Sequence, residues 1–303
     1  MMRKDLLVMP GQGSQVLGMG ARLTERFPAA RALFDRGADA LGFDLREVMW
    51  GGFAKELTTT ENAQPAIVLL SIAALRAWES VARSACDSRW AAGHSVGGVA
   101  AAIAVGALTV DDGLRLSRTR GELMGSAPGS GAMLAVAVSS ARARDEVIEV
   151  ADASGVEVAC HNGERQIVLS GSSSAIESAR SILGGRARVL EVSHGFHSAL
   201  MDPILGPWAD AVANIRFRDP ENPMLSSITG QLLTTAEGVR EELRLGIRST
   251  VRWDLVTIAA ERDGCRPIVL GNGRALSRMW RNSTLAADAI VVDDTFRGAS
   301  RAA

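Results

Sequence analysis

One pentapeptide, Gly93-His94-Ser95-Val96-Gly97, constrains the fold of this chain most. A short apolar run precedes it at residues 90–92, and a helical-looking stretch of small apolar residues follows from Gly98. A serine on a sharp strand-to-helix turn has strained backbone angles, and small residues two positions before and after it relieve the crowding. The pattern predicts a serine hydroxyl that projects beside a helix N-terminus, although G-x-S-x-G also occurs at ordinary turns.

Length and composition indicate the class of protein. The 303 residues are 47% hydrophobic and 22% charged, which is typical of an enzyme with a full core and predicts roughly two domains. A formal net charge of −1 gives no polybasic signal for nucleic acid or a membrane surface. No segment approaches the run of about 20 apolar residues that spans a membrane. Cys86, Cys160 and Cys265 form no C-x-x-C pair, so we expect no metal site, no disulfide framework and a cytoplasmic location.

Alternating strand and helix periods predict an α/β fold in two parts. After a linker at residues 127–131, the chain is expected to form strand, helix, strand, strand, helix and strand, the order of a ferredoxin-like unit. We therefore expect a ferredoxin-like small domain at residues 128–194. It is inserted into a large α/β-hydrolase-like domain with a parallel sheet, made of residues 1–127 and 195–303.

Individual elements of the large domain are also predicted from periodicity. Strands are expected at residues 6–9, 224–227 and 268–270, and the small domain should close with a strand at 188–192. Helices are expected at residues 18–50, 66–78, 111–126, 199–215, 236–247 and 275–281. Residues 282–303 have little organising pattern, and we expect the end of the chain to be mobile.

A serine nucleophile needs a neighbouring base, and the chain has only four histidines. His94 is adjacent to Ser95, so its side chain should leave the turn in another direction, and His161 lies in the small insert. His194 and His197 flank the return from the insert, where a base would meet the serine across a cleft. Position alone leaves the choice between these two open.

The order of the residues argues against an ordinary esterase or lipase. In α/β-hydrolases the histidine comes late, after an acidic residue. Here 106 residues follow the last histidine, His197. A late histidine is therefore impossible in this chain.

Four segments occur in an order that is typical of one family. They are PGQGSQ at residues 10–15, GHSVG at 93–97, RGELM at 120–124 and HGFHSALM at 194–201. On these segments the chain resembles the malonyl-CoA:acyl carrier protein transacylases, including the acyltransferase domains of fatty acid and polyketide synthases. The likeness runs from about residue 6 to residue 279, nearly the whole chain.

The resemblance implies a role for each matching residue. Ser95 matches the nucleophile that is acylated, and His197 matches the general base, which decides between the two histidines. Gln12 matches the oxyanion-hole loop, whose backbone N–H works with that of Val96. Arg120 matches the arginine that pairs with the malonyl carboxylate. The family also places a backbone carbonyl near residues 251–253 against the histidine in place of an acid, and pocket positions at Gln64, His94, Met124, Asn162 and Phe196.

The chemistry of these residue types agrees with the implied reaction. Burying the free carboxylate of a malonyl thioester unpaired would cost several kcal/mol, and a guanidinium fork satisfies it bidentately. Ser95 would attack malonyl-CoA, CoA would leave, and the phosphopantetheine thiol of an acyl carrier protein would take the malonyl group from the serine ester. No metal or redox cofactor is implied, and a monomer is the family-like expectation. Candidates for carrier contacts are Arg165, Arg186 and Arg188.

Two further segments bear on the substrate and on departures from the family. Val96 and Phe196 are typical of members that take malonate, because a bulky phenylalanine would crowd a 2-methyl branch. One methyl group in a pocket is worth only about 1–3 kcal/mol, so we expect strong but incomplete selectivity.

Residues 271–273 are Gly-Asn-Gly where the family usually has Gly-Pro-Gly, and Leu270 replaces the acid before it. The role that the family gives to this loop is therefore not assigned to residues 271–273.

Several alternatives share parts of this pattern. The same chemistry serves fatty acid synthesis, a free-standing acyltransferase of a polyketide assembly line, and the malonyl transferase subunit of a biotin-independent malonate decarboxylase. Residues 251–253, 274–279 and 293–297 loosely support the last of these. A serine thioesterase or hydrolase is disfavoured by Arg120 and by the missing late histidine. A non-catalytic carrier-binding module is disfavoured by the intact Ser95 and His197.

Overall fold

The structure is a computed structural model that describes residues 4–82, 88–280 and 283–297. Its strands form two separate sheets. In chain order the strands are β1 (Lys4–Met9), β2 (Ser88–Gly93), β3 (Gly131–Ala137), β4 (Glu157–His161), β5 (Gln166–Ser172), β6 (Ala187–Val189), β7 (Met224–Leu225), β8 (Leu232–Leu233), β9 (Val251–Arg252), β10 (Cys265–Leu270) and β11 (Ile290–Val292).

The helices cover both sheets. They are α1 (Ala21–Arg26), α2 (Pro28–Leu41), α3 (Ala54–Thr58), α4 (Thr60–Val81), α5 (Gly97–Ala104), α6 (Val110–Gly125), α7 (Ala141–Ser154), α8 (Ser173–Leu183), α9 (Leu205–Ala213), α10 (Ala236–Leu245), α11 (Trp253–Arg262) and α12 (Arg274–Met279). A π-helical turn lies at Glu47–Gly51, and short 3₁₀ turns lie at Gly184–Arg186, Ala199–Ile204 and Thr284–Ala286.

The first sheet has the order β11-β10-β1-β2-β7-β8, and its first five strands are parallel. Residues 6–9 of β1 are buried because strands flank β1 and helices cover the sheet. In the register of β1 and β2, Met9 pairs with Gly93. The loops that follow these two strands therefore leave the sheet side by side, which brings residues 10–15 next to the GHSVG turn.

The second sheet confirms the ferredoxin-like prediction. Its order is β6-β3-β5-β4-β9, so the unit's fourth, first, third and second strands lie antiparallel in that order, with α7 and α8 as the connecting helices. These four strands lie within residues 128–194, which we retain as the proposed bounds of the small domain. The fifth strand, β9, comes from outside that range and pairs parallel with β4.

Some predicted elements differ from the structure. Residues 18–50 are not one helix but α1, α2 and the π-helical turn, because Pro28 begins a second helix after Phe27. The helix expected from residue 66 begins at Thr60 and contains Pro65. A proline there cannot donate to the carbonyl of Glu61, and Arg118 Nη1 donates to that carbonyl instead, at 3.1 Å.

Two segments in the last third of the chain also differ from the prediction. Residues 199–215 are a 3₁₀ turn, which contains Pro203, followed by α9. Residues 282–303 are expected to have little organising pattern, but among the described residues 283–297 the strand β11 pairs with β10 and forms one edge of the first sheet. The apolar run Ile290-Val291-Val292 is too short to be recognised as a strand from the sequence. Cys86, Arg281 and residues 298–303 lie outside the described residues.

Across the described ranges, none of the helices has both the length and the apolar character needed to cross a bilayer. Within the same ranges, no group of three or more His, Cys, Asp and Glu side chains is arranged to hold a metal ion.

Candidate active site

Ser95 lies on the sharp turn between β2 and α5 that the sequence predicts. Its φ is 53°, a left-handed conformation that is strained in a residue other than glycine. A Cβ on Gly93 would collide with the backbone of Gly97, and a Cβ on Gly97 would collide with the carbonyl of Met9. The two glycines therefore permit the turn, and the turn places the serine hydroxyl above the carboxyl end of the sheet.

His197 faces Ser95. Its Nε2 lies 2.8 Å from Ser95 Oγ, and its Nδ1 donates to the backbone carbonyl of Ser249 at 2.9 Å. A carbonyl can only accept, so this bond fixes the proton on Nδ1 and leaves Nε2 free to accept from the serine. The orienting carbonyl lies two residues before the segment 251–253 that the family likeness indicated. Thr250 Oγ1 donates to the carbonyl of Val158 at 2.8 Å, which holds this segment against the small sheet.

The side chains of His194 and His161 contact other partners. His194 Nε2 donates to the carbonyl of Pro128 at 3.3 Å, and its Nδ1 accepts from Gly195 N at 2.8 Å. His194 therefore links the segment at Pro128, where the chain enters the small domain, to the segment at Gly195, where it returns to the large one. His161 Nδ1 lies 3.1 Å from Arg144 Nη1. Among the described residues, His197 is the histidine that contacts the serine hydroxyl.

Burial changes the protonation of His197. Burial, then the nearby positive charge of Arg120 and the neighbouring His94, lower the pKa of His197 to about 3. The imidazole is therefore neutral at neutral pH, which is the form that accepts a proton.

This pKa predicts how acylation depends on pH. For the acylation by malonyl-CoA that the resemblance implies, measured well below half-saturation, where the rate reports the free enzyme, we expect the rate at pH 5.5 to lie within about twofold of the rate at pH 7.5. A histidine with an ordinary pKa near 6.5 would lose about tenfold over that range. Single-turnover acylation at several pH values measures this, with circular dichroism to show that the fold persists. A midpoint near pH 6.5 would contradict it.

Arg120 reaches the serine from α6. A Cβ on the next residue, Gly121, would lie 2.5 Å from the carbonyl of Thr60, so glycine lets α6 cross closely over α4. Arg120 Nη1 donates to Gln64 Oε1 at 2.9 Å, and Nη2 lies 3.3 Å from Ser95 Oγ. The side chain is only 3% exposed, and burial lowers its pKa to about 10, so it stays charged at neutral pH. No Asp or Glu of the described residues pairs with this buried cation.

Gln64 connects Arg120 to Met124, and Met124 belongs to the cavity that Ser95 and His197 line, which we name the main cavity. Gln64 Nε2 lies 3.3 Å from Met124 Sδ, and Met124 lines the cavity while Arg120 does not. Arg120 instead lines a second cavity of about 20 Å³ together with Ser95 and Ser249. Ser95 lines both cavities, and Arg120 contacts its hydroxyl.

The main cavity has a volume of about 230 Å³ and lies between the two sheets. Ser95 and His197 lie on its wall beside Phe196. The small-domain sheet contributes mostly apolar side chains, and α12 forms another wall. Lining residues of these two walls are Met133, Ala135, Cys160, Val168, Ala275, Leu276 and Met279. A mostly apolar cavity with a few polar groups is suited to a small molecule.

His94 points away from the serine hydroxyl, toward the small domain. Its Nε2 lies 2.8 Å from Asn162 Oδ1, and Asn162 Nδ2 donates to Gln166 Oε1 at 2.9 Å. The ring also lies 5.5 Å from that of Trp253, and burial lowers its pKa. His94 and Asn162 thus join the two parts of the molecule at the cavity wall, and sequence reasoning did not identify Gln166 in this chain of bonds.

The loop at residues 10–15 packs against the serine turn. A Cβ on Gly11 would lie 2.6 Å from the carbonyl of His94, so only glycine permits this approach. Gln12 lines the cavity, and its Nε2 donates to Thr60 Oγ1 at 3.3 Å. Within the part of the chain that the structure describes, the backbone N–H groups of Gln12 and Val96 have no acceptor. Two unused donors beside a serine nucleophile are suited to a developing oxyanion.

Comparisons with known proteins show what the chain is similar to over nearly its whole length. The model of the acyl transferase domain family matches residues 6–266. The malonyl CoA-acyl carrier protein transacylase of Bacillus subtilis (strain 168) is 34% identical over 302 residues, which covers 97% of this chain and 94% of that protein.

Solved structures are similar over the same length. The acyl-carrier-protein S-malonyltransferase from Bartonella henselae superposes with a TM-score of 0.87 at 32% identity, covering 96% of this chain and 95% of that one. A malonyl-transacylase in complex with a type II polyketide synthase acyl-carrier protein superposes with a TM-score of 0.84 at 29% identity, covering 95% and 94% of the two chains.

Proposed function

The chain belongs to the acyl transferase domain family, and from that premise we propose that it transfers a malonyl group from malonyl-CoA to the phosphopantetheine thiol of an acyl carrier protein. The observation that carries the proposal is a serine–histidine pair at 2.8 Å with a buried arginine 3.3 Å from the same hydroxyl that has no anionic partner among the described residues. The pair supplies an acyl-transfer nucleophile, and the arginine supplies a partner for a carboxylate.

In the first half-reaction Ser95 attacks the thioester carbon. As Oγ forms the new bond, its proton passes to Nε2 of His197, and the carbonyl of Ser249 stabilises the imidazolium through Nδ1–H. The backbone N–H groups of Gln12 and Val96 hold the oxyanion, each donor being worth roughly 3 kcal/mol. The carbon–sulfur bond then breaks, and Nε2–H returns its proton to the CoA sulfur, leaving malonyl-Ser95.

In the second half-reaction the carrier thiol is the nucleophile. His197 takes the thiol proton, the sulfur attacks the ester carbon, and the same two N–H groups hold the second oxyanion. The carbon–oxygen bond breaks, and His197 returns the proton to Ser95 Oγ. The enzyme is restored, and the malonyl group leaves as a carrier thioester.

Arg120 selects the acyl group in this proposal. A malonyl carboxylate satisfies a buried guanidinium that has no anionic partner among the described residues, whereas an acetyl group leaves it unpaired. A serine hydrolase for neutral acyl esters has no use for a buried cation beside its nucleophile, so the hydrolase alternative explains less.

The test of the proposal is transfer to a carrier. Purified enzyme, malonyl-CoA and a phosphopantetheinylated acyl carrier protein should give malonyl-carrier faster than free malonate. Release of free malonate at the same rate with and without carrier would support the hydrolase alternative. As part of the proposal the enzyme works as a monomer in the cytoplasm, which size-exclusion chromatography and cell fractionation test.

Phe196 is proposed to restrict the group on the malonyl α-carbon. It is 4% exposed and lines the main cavity next to His197. Phe196→Ala should raise the ratio of methylmalonyl to malonyl acylation by about tenfold, because one methyl group is worth about 1–3 kcal/mol in a pocket. The matched control is Phe53→Ala, since Phe53 is 81% exposed. An unchanged ratio in Phe196→Ala would show that another residue excludes the branch.

A further inference from the structure

The departure from the family at residues 271–273 makes a specific contact. Asn272 Nδ2 donates to the backbone carbonyl of Ser14 at 2.6 Å. Ser14 belongs to the loop at residues 10–15 that carries Gln12. Asn272 is half-buried, and both Asn272 and Ser14 line the main cavity. A proline at this position would have no side-chain donor.

Ser14 is rigidly joined to the part of the loop that holds the oxyanion donor. Its Oγ and its N–H both donate to the carbonyl of Gly11, at 2.8 Å and 3.3 Å. This closes a turn around Gln12. Gly11 is in turn pressed against the carbonyl of His94. A bond that fixes Ser14 therefore fixes where the Gln12 N–H lies relative to the serine turn.

Asn272 is itself held by the sheet. Gly271 has a φ of 70°, and its N–H donates to the carbonyl of Val292 at 2.9 Å. Gly273 N donates to the carbonyl of Gly271 at 2.8 Å, which makes a tight turn directly after β10. Asn272 thus lies just beyond the carboxyl ends of the paired strands β10 and β11.

Residues that follow β11 contact the chain after the loop at residues 10–15. The carboxylate of Asp294 accepts from the N–H groups of Gly20 and Leu23, at 2.7 Å and 2.9 Å, and caps the start of α1. The rings of Phe27 and Phe296 stack with centroids 5.8 Å apart. The C-terminal segment therefore contacts the chain at Ser14 through Asn272 and again at Gly20 and Leu23 through Asp294.

We propose that Asn272 is a positioning residue for the oxyanion hole, which holds the Gln12 N–H in place through the carbonyl of Ser14. The inference rests on the proposed function, because it assigns the loop a role in the same acyl transfer. Asn272 acts on the transition state through the backbone of the loop at residues 10–15.

The experiment compares Asn272→Ala and Asn272→Asp with wild type in rapid-quench acylation, following malonyl-Ser95 by intact mass. Loss of a complete oxyanion donor costs about 10²–10³-fold in rate, so a displaced donor should cost about tenfold. We expect the maximal acylation rate to fall about tenfold in both variants and the half-saturating malonyl-CoA concentration to stay within about twofold. Asn214→Asp is the matched control, since Asn214 is exposed at the end of α9.

Three outcomes would overturn the inference. A raised half-saturating concentration with an unchanged maximal rate would make Asn272 a substrate contact. Slowing in Asn272→Asp alone would be an effect of charge, because Asn272→Ala removes the same hydrogen bond. Wild-type rates in both variants would show that the loop holds its position unaided. Failure of the proposed function is distinguishable, since wild-type enzyme would then form no malonyl-Ser95 or would release free malonate at the same rate with and without carrier.

Discussion

Ser95→Ala is expected to abolish the malonyl-enzyme and to lower malonyl transfer by about 10⁴-fold or more. The serine hydroxyl forms the covalent bond, and no other hydroxyl of the described residues contacts His197 Nε2. Transfer to a carrier protein, measured by separating malonyl-carrier from free carrier, gives the rate. Ser178→Ala is the matched control, because Ser178 is exposed on α8.

His197→Ala should reduce the rate by a similar factor, and the double variant should be no slower than either single variant. The two residues act as one unit, so removal of the second member takes away nothing further. A Ser95→Ala protein that still forms an acyl-enzyme would move the nucleophile elsewhere. Additive losses in the double variant would show that His197 works independently of the serine.

Arg120→Ala is expected to lower malonyl acylation by about 10²–10³-fold while it leaves acetyl acylation nearly unchanged. Removing one partner of a buried ion pair costs about 3–5 kcal/mol, because the remaining charge is left unsatisfied. Arg120→Lys should recover only part of the loss, since an ammonium group cannot form a bidentate fork. Parallel acylation with malonyl-CoA and acetyl-CoA measures the selectivity.

The matched control for Arg120 is Arg115→Ala on the same helix, because Arg115 is exposed and pairs with Asp112. It should leave both rates unchanged. An equal fall of malonyl and acetyl acylation in Arg120→Ala would contradict the selector role. Arg120 would then act on the nucleophile itself through its 3.3 Å contact with Ser95 Oγ.

The sequence predicts the parts of the site that depend on local pattern. The spacing of glycines around Ser95 is a local steric requirement, so the strand–turn–helix geometry could be read directly. The ferredoxin-like unit was also readable, because its strands and helices alternate within one continuous stretch of about 60 residues. Between His194 and His197, position alone did not decide, and the family likeness favoured the residue that contacts the serine in the structure.

Other parts of the site depend on residues that are distant in the chain. β9 has only two residues, and it joins a sheet whose other strands end about 60 residues earlier, at Val189. The carbonyl of Ser249 orients His197 through a backbone atom, which no side-chain pattern marks. The order of β11 comes from pairing with β10 and from the Asp294 cap, not from its own three residues. Sequence periodicity reports neither kind of contact.

The central claim is that this chain carries a malonyl group as an ester on Ser95 and prefers that group because Arg120 pairs with its carboxylate. Intact-protein mass spectrometry after mixing with malonyl-CoA, methylmalonyl-CoA and acetyl-CoA in parallel tests it most directly, with peptide mapping of each adduct. We predict one malonyl group on Ser95, less methylmalonyl and little acetyl. Acetyl labelling as strong as malonyl labelling, or no adduct with any of the three, would contradict the account.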